Sequence, residues 1–314
     1  MTPSEFSRSV ERGGSARTLG DTDTLELYAD GLRIFARAAG PEDGPLVILL
    51  HGFPELSRSW HHQLPALAAA GYRAVAPDLR GYGRTERRGP YDLRTLAGDV
   101  AGMVRALGRE RAVVCGHDWG GAIAWAAATY APQAVERLVV LNCPHPAAFA
   151  RELRVNPRQL LRSRYMLAFQ LPWLPERLLA RDRAAAIARA LRGGAYRRDA
   201  FPRDELERYR EAFASREAAA AALAYYRAAF RERGAFGRAA RARPVSAPTL
   251  VVWGVRDRFL GLETIAPEKL APWFAPGNAP AVVLIAEAGH FVQNEAPGEV
   301  NRAILTWLAE TGRG

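Results

Sequence analysis

The stretch Arg111–Tyr130, RAVVCGHDWGGAIAWAAATY, constrains the fold more than any other part of the chain. It reads as a short apolar strand, Ala112 to Cys115, then a cramped Gly-His-Asp-Trp-Gly-Gly turn, then an Ala-rich helix from about Ala122. A strand that runs straight into a helix through Gly-x-Asp-x-Gly lifts the central side chain onto a sharp, strained bend with helix N-terminal N–H groups beside it. The side chain lifted here is Asp118. Gly116 and Gly120 are what such a bend requires, because a Cβ at either place would collide with the neighbouring strand or helix. The competing reading is an ordinary strand-to-helix turn with Asp118 as a helix cap.

The flanking sequence supplies a sheet for that strand. Thr24 to Ala29 and Leu32 to Ala38 flank Asp30-Gly31 as an edge hairpin. Leu46 to Leu50, LVILL, is a continuous apolar run, as in a strand covered on both faces, and it ends in His51-Gly52-Phe53-Pro54. A helical pattern over Trp60 to Ala70, a strand over Tyr72 to Ala76, a helix over Leu93 to Leu107 and a strand over Arg137 to Asn142 continue the alternation of a parallel sheet wrapped by helices. After Pro144-His145-Pro146 the pattern turns helical, rich in Ala and Arg. Alternation resumes with strands at Thr249 to Trp253 and Val282 to Ala286 and helices near Leu262 to Leu270 and Pro297 to Leu308. The expected organisation is a flexible tail over 1–20, an α/β core over 21–146 and 244–314, and a helical cap inserted over 147–243.

With 314 residues, 49% hydrophobic and 24% charged, the chain is globular and long enough for a sizeable core. The net charge of +10 raises the question of a polyanionic partner. Lys269 is the only lysine, however, so the charge is almost all arginine, and many arginines sit beside acids, as in Arg203-Asp204-Glu205-Leu206-Glu207-Arg208. That pattern suits a solvated surface, and neither nucleic acid nor membrane is expected as a partner. Cys115 and Cys143 fall at the ends of buried strands and are expected as reduced, packed thiols. Residues 1–20 have no apolar run resembling a signal peptide, and no stretch reaches the roughly 20 apolar residues of a membrane span. A soluble cytoplasmic protein is expected; monomer and homodimer stay open.

If Asp118 is a nucleophile, an acid and then a histidine should follow in loops after later strands. Asp257 follows Val251-Val252-Trp253-Gly254, and His290 follows Leu284-Ile285-Ala286 in Glu287-Ala288-Gly289-His290. Open parallel sheets place ligands at the carboxyl ends of their strands, so the three converge on one edge. The amides of Trp119, after Asp118, and Phe53, after the LVILL strand, are the candidate oxyanion donors.

At these motifs the chain resembles the α/β-hydrolase fold, and within it the epoxide hydrolases and haloalkane dehalogenases that use aspartate at the bend. His51-Gly52-Phe53-Pro54 resembles the HGxP oxyanion loop of that family. The resemblance implies attack of Asp118 on an sp3 carbon and hydrolysis of the resulting ester by water activated by His290 and Asp257, with no cofactor and no metal. A halide leaves as a stable anion, whereas an epoxide oxygen leaves as a basic alkoxide that needs an acid. A phenol, with a usual pKa of about 10, can serve while protonated at pH 7. Tyr165-Met166-Leu167-Ala168-Phe169-Gln170 and Leu223-Ala224-Tyr225-Tyr226-Arg227 resemble the cap segments that carry the two ring-opening tyrosines. They imply Tyr165 and Tyr226, with Tyr225 the competitor in register, and Phe53, Trp119 and Phe169 as substrate-contacting aromatics. His117 and His145 suit supporting or packing roles. Dehalogenases commonly carry asparagine where this chain has Phe53. The resemblance therefore implies a small-molecule epoxide and water as substrates; a haloalkane dehalogenase and a non-catalytic ligand-binding protein are the alternatives.

Overall fold

The computed structural model describes residues 22–231 and 244–312. The expected tail over 1–20 and the last residues of the insertion lie outside the described residues. The core is an eight-stranded sheet of β1 (Asp23–Ala29), β2 (Leu32–Ala39), β3 (Leu46–Leu50), β4 (Arg73–Pro77), β5 (Ala112–His117), β6 (Val135–Leu141), β7 (Thr249–Gly254) and β8 (Ala281–Ile285). Their spatial order is β1-β2-β4-β3-β5-β6-β7-β8, antiparallel through the first two pairings and parallel from β4 to β8. The edge hairpin turns at Asp30 (φ 49°) and Gly31 (φ 77°), the positive pair that a two-residue turn needs to match strand twist.

Side-chain alternation along the parallel strands feeds two apolar layers. Ile48, Val114, Val140 and Val251 pack with α2 (Leu93–Ala106) and α3 (Trp119–Tyr130), while Val47, Leu49, Val113 and Val139 pack with α1 (Gln63–Ala69) and the final helix, Pro297–Thr311. Each fully buried Val, Leu or Ile contributes about 1.5–3 kcal/mol, so strands covered on both faces are the stable centre. The alanines and glycines of α3 let it sit with every residue from Trp119 to Ala128 buried.

Between β6 and β7 the described chain is helical: α4 (Pro146–Val155), α5 (Pro157–Arg162), α6 (Tyr165–Ala168), α7 (Leu174–Gly194), α8 (Arg203–Ala212) and α9 (Arg216–Arg231). It lies over the carboxyl ends of the strands, held by ion pairs such as Arg58–Glu205 (2.6 Å). The expected helix over Leu262 to Leu270 is instead a 3-10 turn, Leu262–Ile265, and a single α-turn, Pro267–Leu270, because Pro267 has no amide to continue the ladder. The helix expected from Trp60 starts at Gln63, after a 3-10 turn over Ser57–Trp60. Among the described residues no helix is long and apolar enough to cross a membrane.

Candidate active site

Asp118 sits between β5 and α3 at φ 50°, ψ −118°. A non-glycine residue held there costs of order 1–3 kcal/mol, which the tight packing around it must offset. A Cβ on Gly116 would lie 2.1 Å from the Gly120 carbonyl oxygen, and one on Gly120 would lie 2.1 Å from the Leu50 carbonyl oxygen. Both glycines are therefore fixed by sterics. The Asp118 side chain caps no helix amide, so the plain helix-cap reading does not describe it.

His290, in the loop after β8, connects Asp118 to Asp257. Its Nδ1 lies 2.8 Å from Asp257 Oδ2 and its Nε2 3.6 Å from Asp118 Oδ2. Asp257 is held in turn: Oδ1 accepts from the amides of Phe259 (2.7 Å) and Leu260 (3.0 Å), and Oδ2 accepts from Asn142 Nδ2 at 2.7 Å. Burial works against a charged His290, but the Asp257 charge and the two carboxylate contacts outweigh it and hold the imidazole well above its ordinary pKa. Burial also works against the Asp118 carboxylate, yet the His290 contact, the positive field of His290 and His117, and the Phe53 amide keep its pKa below the usual value.

The Phe53 amide donates to Asp118 Oδ1 at 2.8 Å, and the Trp119 amide stands at the first residue of α3, next to the same carboxylate. Phe53 is positioned by His51, whose Nδ1 donates to the Gly52 carbonyl (2.9 Å) and whose Nε2 accepts from the Leu79 amide (3.0 Å). One donor and one acceptor fix the neutral tautomer, in keeping with the burial that lowers the pKa of this ring.

Tyr165 and Tyr226 come from α6 and α9 to the wall of one cavity with Asp118 and His290. Burial, together with the Asp118 charge, raises both phenols above their ordinary pKa. Each is thus a protonated donor at neutral pH. Tyr225 and Tyr226 diverge: the Tyr225 hydroxyl donates to the Arg80 carbonyl at 2.7 Å, while Tyr226 packs edge-on to Trp119 (5.0 Å) and Phe169 (5.0 Å) and faces the cavity. The cavity, about 580 Å³, is also lined by Phe53, Phe169, Phe259 and Phe291. On the other side of Asp118, Tyr165 and Tyr226 lies a smaller lobe of about 50 Å³, which includes Trp119, Cys143, Phe149 and Leu260.

A buried polar cluster behind His290 has no signature in the local sequence. Glu55 Oε2 meets His117 Nδ1 at 2.7 Å, and His117 Nε2 meets the His290 carbonyl at 2.8 Å. Glu55 Oε1 accepts from Gln293 (3.0 Å) and Asn294 (3.2 Å). Both ring nitrogens of His117 thus face oxygen atoms, one from Glu55 and one from the His290 carbonyl. Asn142, at φ 40°, joins Asp257 to the Gly254 amide. Its place as the last residue of the expected strand, directly after β6 in the structure, is the one cue the sequence offers. His145 is remote from this cluster: it caps α4 through the Ala147 amide (3.2 Å), stacks on Trp273 (4.8 Å), and burial pushes its pKa down to about 3. Cys115 and Cys143 are free, buried thiols. Among the described residues no group of His, Cys, Asp and Glu could hold a metal ion.

Residues 45–297 match the alpha/beta hydrolase fold family. The chain is 36% identical over 285 residues to the AB hydrolase superfamily protein YfhM of Bacillus subtilis, covering 90% of this chain and 96% of that one. It is 34% identical over 303 residues to Epoxide hydrolase 4 of Homo sapiens, covering 94% and 81% respectively. The crystal structure of Bacillus megaterium epoxide hydrolase in complex with an inhibitor matches with a TM-score of 0.77 at 27% identity, over 90% of this chain and 99% of that one. An aspartate on a glycine-bounded bend, its histidine and acid partners, and these relatives agree: the chain belongs to the epoxide hydrolases of the alpha/beta hydrolase fold.

Proposed function

We propose that the protein converts an epoxide and water to a vicinal diol through an ester on Asp118. The observation that carries this reading is the placement of two protonated phenols, Tyr165 and Tyr226, on the same cavity wall as Asp118. Asp118 Oδ1 is occupied by the Phe53 amide, which leaves Oδ2 to attack the less hindered epoxide carbon. As the C–O bond of the ring breaks, the oxygen takes a hydrogen bond or proton from the phenols. Forming the ester removes the Asp118 charge, one of the two anions that raise His290. The imidazole then gives up its proton more readily and becomes the base for water at the moment the ester needs it. Water attacks Cγ and gives a proton to His290, Oδ1 becomes the oxyanion against the Phe53 and Trp119 amides, and collapse breaks the Cγ–Oδ2 bond as the departing oxygen takes that proton, releasing the diol. The helices between β6 and β7 act in this reading as the cap that roofs the site and carries the two phenols.

A haloalkane substrate fits the site less well. A departing halide needs N–H donors and no proton, and the acidic hydroxyls over Asp118 would then be idle. The test is Asp118→Asn assayed with a styrene-oxide-type substrate and, separately, a bromoalkane. Loss of diol formation in freshly prepared variant, with no bromide release by the wild type, supports the reading; undiminished diol formation overturns it. Fresh preparation matters because the His290–water pair could hydrolyse the asparagine back to aspartate.

A further inference from the structure

Glu295 ends the short helical turn Val292–Glu295 that follows His290, and it is buried, 2% exposed. The donors to its carboxylate are all backbone amides. Oε1 accepts from Phe291 (3.0 Å), and Oε2 accepts from Gly289 (2.9 Å), Tyr196 (2.9 Å) and Arg197 (2.8 Å). Gly289 and Phe291 are the chain neighbours of His290, whereas Tyr196 and Arg197 belong to the helical segment between β6 and β7. One side chain therefore ties the backbone on both sides of the imidazole to the roof of the cavity.

Other buried glutamates are used differently: Glu152, Glu176 and Glu205 meet Lys269 (2.7 Å), Arg227 (2.6 Å) and Arg58 (2.6 Å). An ion pair with a long side chain tolerates small shifts of either backbone. A carboxylate shared among amides does not, because each N–H must point at one of its oxygens and a buried amide without an acceptor is costly. The two segments also touch. A Cβ on Gly289 would lie 3.0 Å from both the nitrogen and the Cβ of Tyr196, and one on Gly194 would lie 2.8 Å from the Phe259 ring and 3.2 Å from the Phe291 ring. Phe201 packs edge-on to Phe291 at 5.1 Å. Gly193 and Gly194, just before this contact, line the cavity over Asp118.

The phenols are anchored to the core by other contacts. Gln159, ahead of Tyr165 in the chain, donates to the Phe259 carbonyl (2.8 Å) and accepts from the Gly261 amide (3.0 Å). The Tyr225 hydroxyl, beside Tyr226, donates to the Arg80 carbonyl (2.7 Å).

We propose that Glu295 is a positioning residue for ester hydrolysis: it holds the His290 loop in register with the cap, so that Nε2 stands where it takes a proton from the water attacking the ester. Ester formation draws on Asp118, the Phe53 amide and the phenols, none of which is bonded to Glu295. Its loss therefore slows the second half-reaction and spares the first. This assignment rests on the two-step reading above and adds the residue that couples its base to the cap.

The experiment is a single turnover of styrene oxide by excess enzyme at pH ~5.5, where protonation of His290 makes the ester long-lived. Intact mass of acid-quenched enzyme gives the rate constants for ester formation and hydrolysis. Glu295→Gln keeps the shape but turns an NH2 group against one of the amides. Gly289→Ala wedges the loop away from Tyr196 and leaves Glu295 in place. Hydrolysis should slow by about ten-fold in the first and a few-fold in the second, since a displacement of about 1 Å can cost ~10²-fold, while formation stays within about two-fold of wild type. The ratio of the two constants does not depend on how much of a variant is folded, so a merely stabilising role leaves it unchanged. A wild-type ratio in either variant, or formation slowed as much as hydrolysis, overturns the assignment. Absence of any ester in the wild type under these conditions overturns the two-step reading itself.

Discussion

Glu55 offers a quantitative test of the cluster behind the site. Its carboxylate and side chain are fully buried, and it accepts from His117, Gln293 and Asn294 at 2.7, 3.0 and 3.2 Å. Glu55→Leu would leave His117 Nδ1, the Gly52 amide and the side-chain amides of Gln293 and Asn294 buried without their partner. Leaving several buried polar groups without a partner costs about 3–5 kcal/mol in all, a large share of the ~5–15 kcal/mol that holds a domain folded. Glu55→Gln keeps an acceptor for Gln293 and Asn294 and brings a new amide to His117 Nδ1, so its cost should be about 1–2 kcal/mol. Urea unfolding measures both from the shift in midpoint at constant slope. The same pair bears on Asp118, because the positive field of His117 helps to hold that carboxylate below its usual pKa. A depressed carboxylate stays ionised to lower pH. His117→Gln, which removes that field, should therefore move the acid limb of kcat/KM to higher pH. If Glu55→Leu falls within ~1 kcal/mol of the wild type, or the acid limb stays in place in His117→Gln, the buried cluster does not act as described.

Tyr165→Phe and Tyr226→Phe should each slow ester formation by about 10²-fold, and the double variant should nearly abolish it; rapid-quench mass spectrometry of the enzyme reads this step directly. The pH dependence should divide between the two half-reactions. Asp118 retains its charge below the usual carboxylate range, so ester formation persists on acidification. Hydrolysis needs neutral His290 and fails first, since a base raised by Asp257 is lost as pH falls through its pKa. Ester should accumulate at pH ~5.5 and not at pH ~8, checked by intact mass of acid-quenched enzyme.

The parts of the site that were legible in the sequence share one property: each is announced by its own neighbours. Gly116 and Gly120 bracket Asp118 because the bend admits no Cβ. Asp257 and His290 follow apolar runs that end at the same edge of the sheet. The choice between Tyr225 and Tyr226 could not be read in the same way, because adjacent helical residues differ by about 100° and both are aromatic. Packing separates them, through the Arg80 carbonyl that takes the Tyr225 hydroxyl. Glu55, Asn142 and Gln293 were missed for a related reason. Glu55 and Gln293 are 238 residues apart in the chain, and a buried polar residue is identified by partners that only the fold supplies.

In the proposed reaction Asp118 bonds to carbon and water then attacks the ester, not the epoxide. A single turnover in heavy-oxygen water, with enzyme in excess over epoxide, tests this most directly. Because Oδ2 leaves with the product and water's oxygen stays on the carboxylate, the first diol should carry no heavy oxygen, and peptide mapping should find the label in the segment containing Asp118. Heavy oxygen in the first diol, with none on Asp118, would mean that water opens the ring directly and that the aspartate is not a nucleophile.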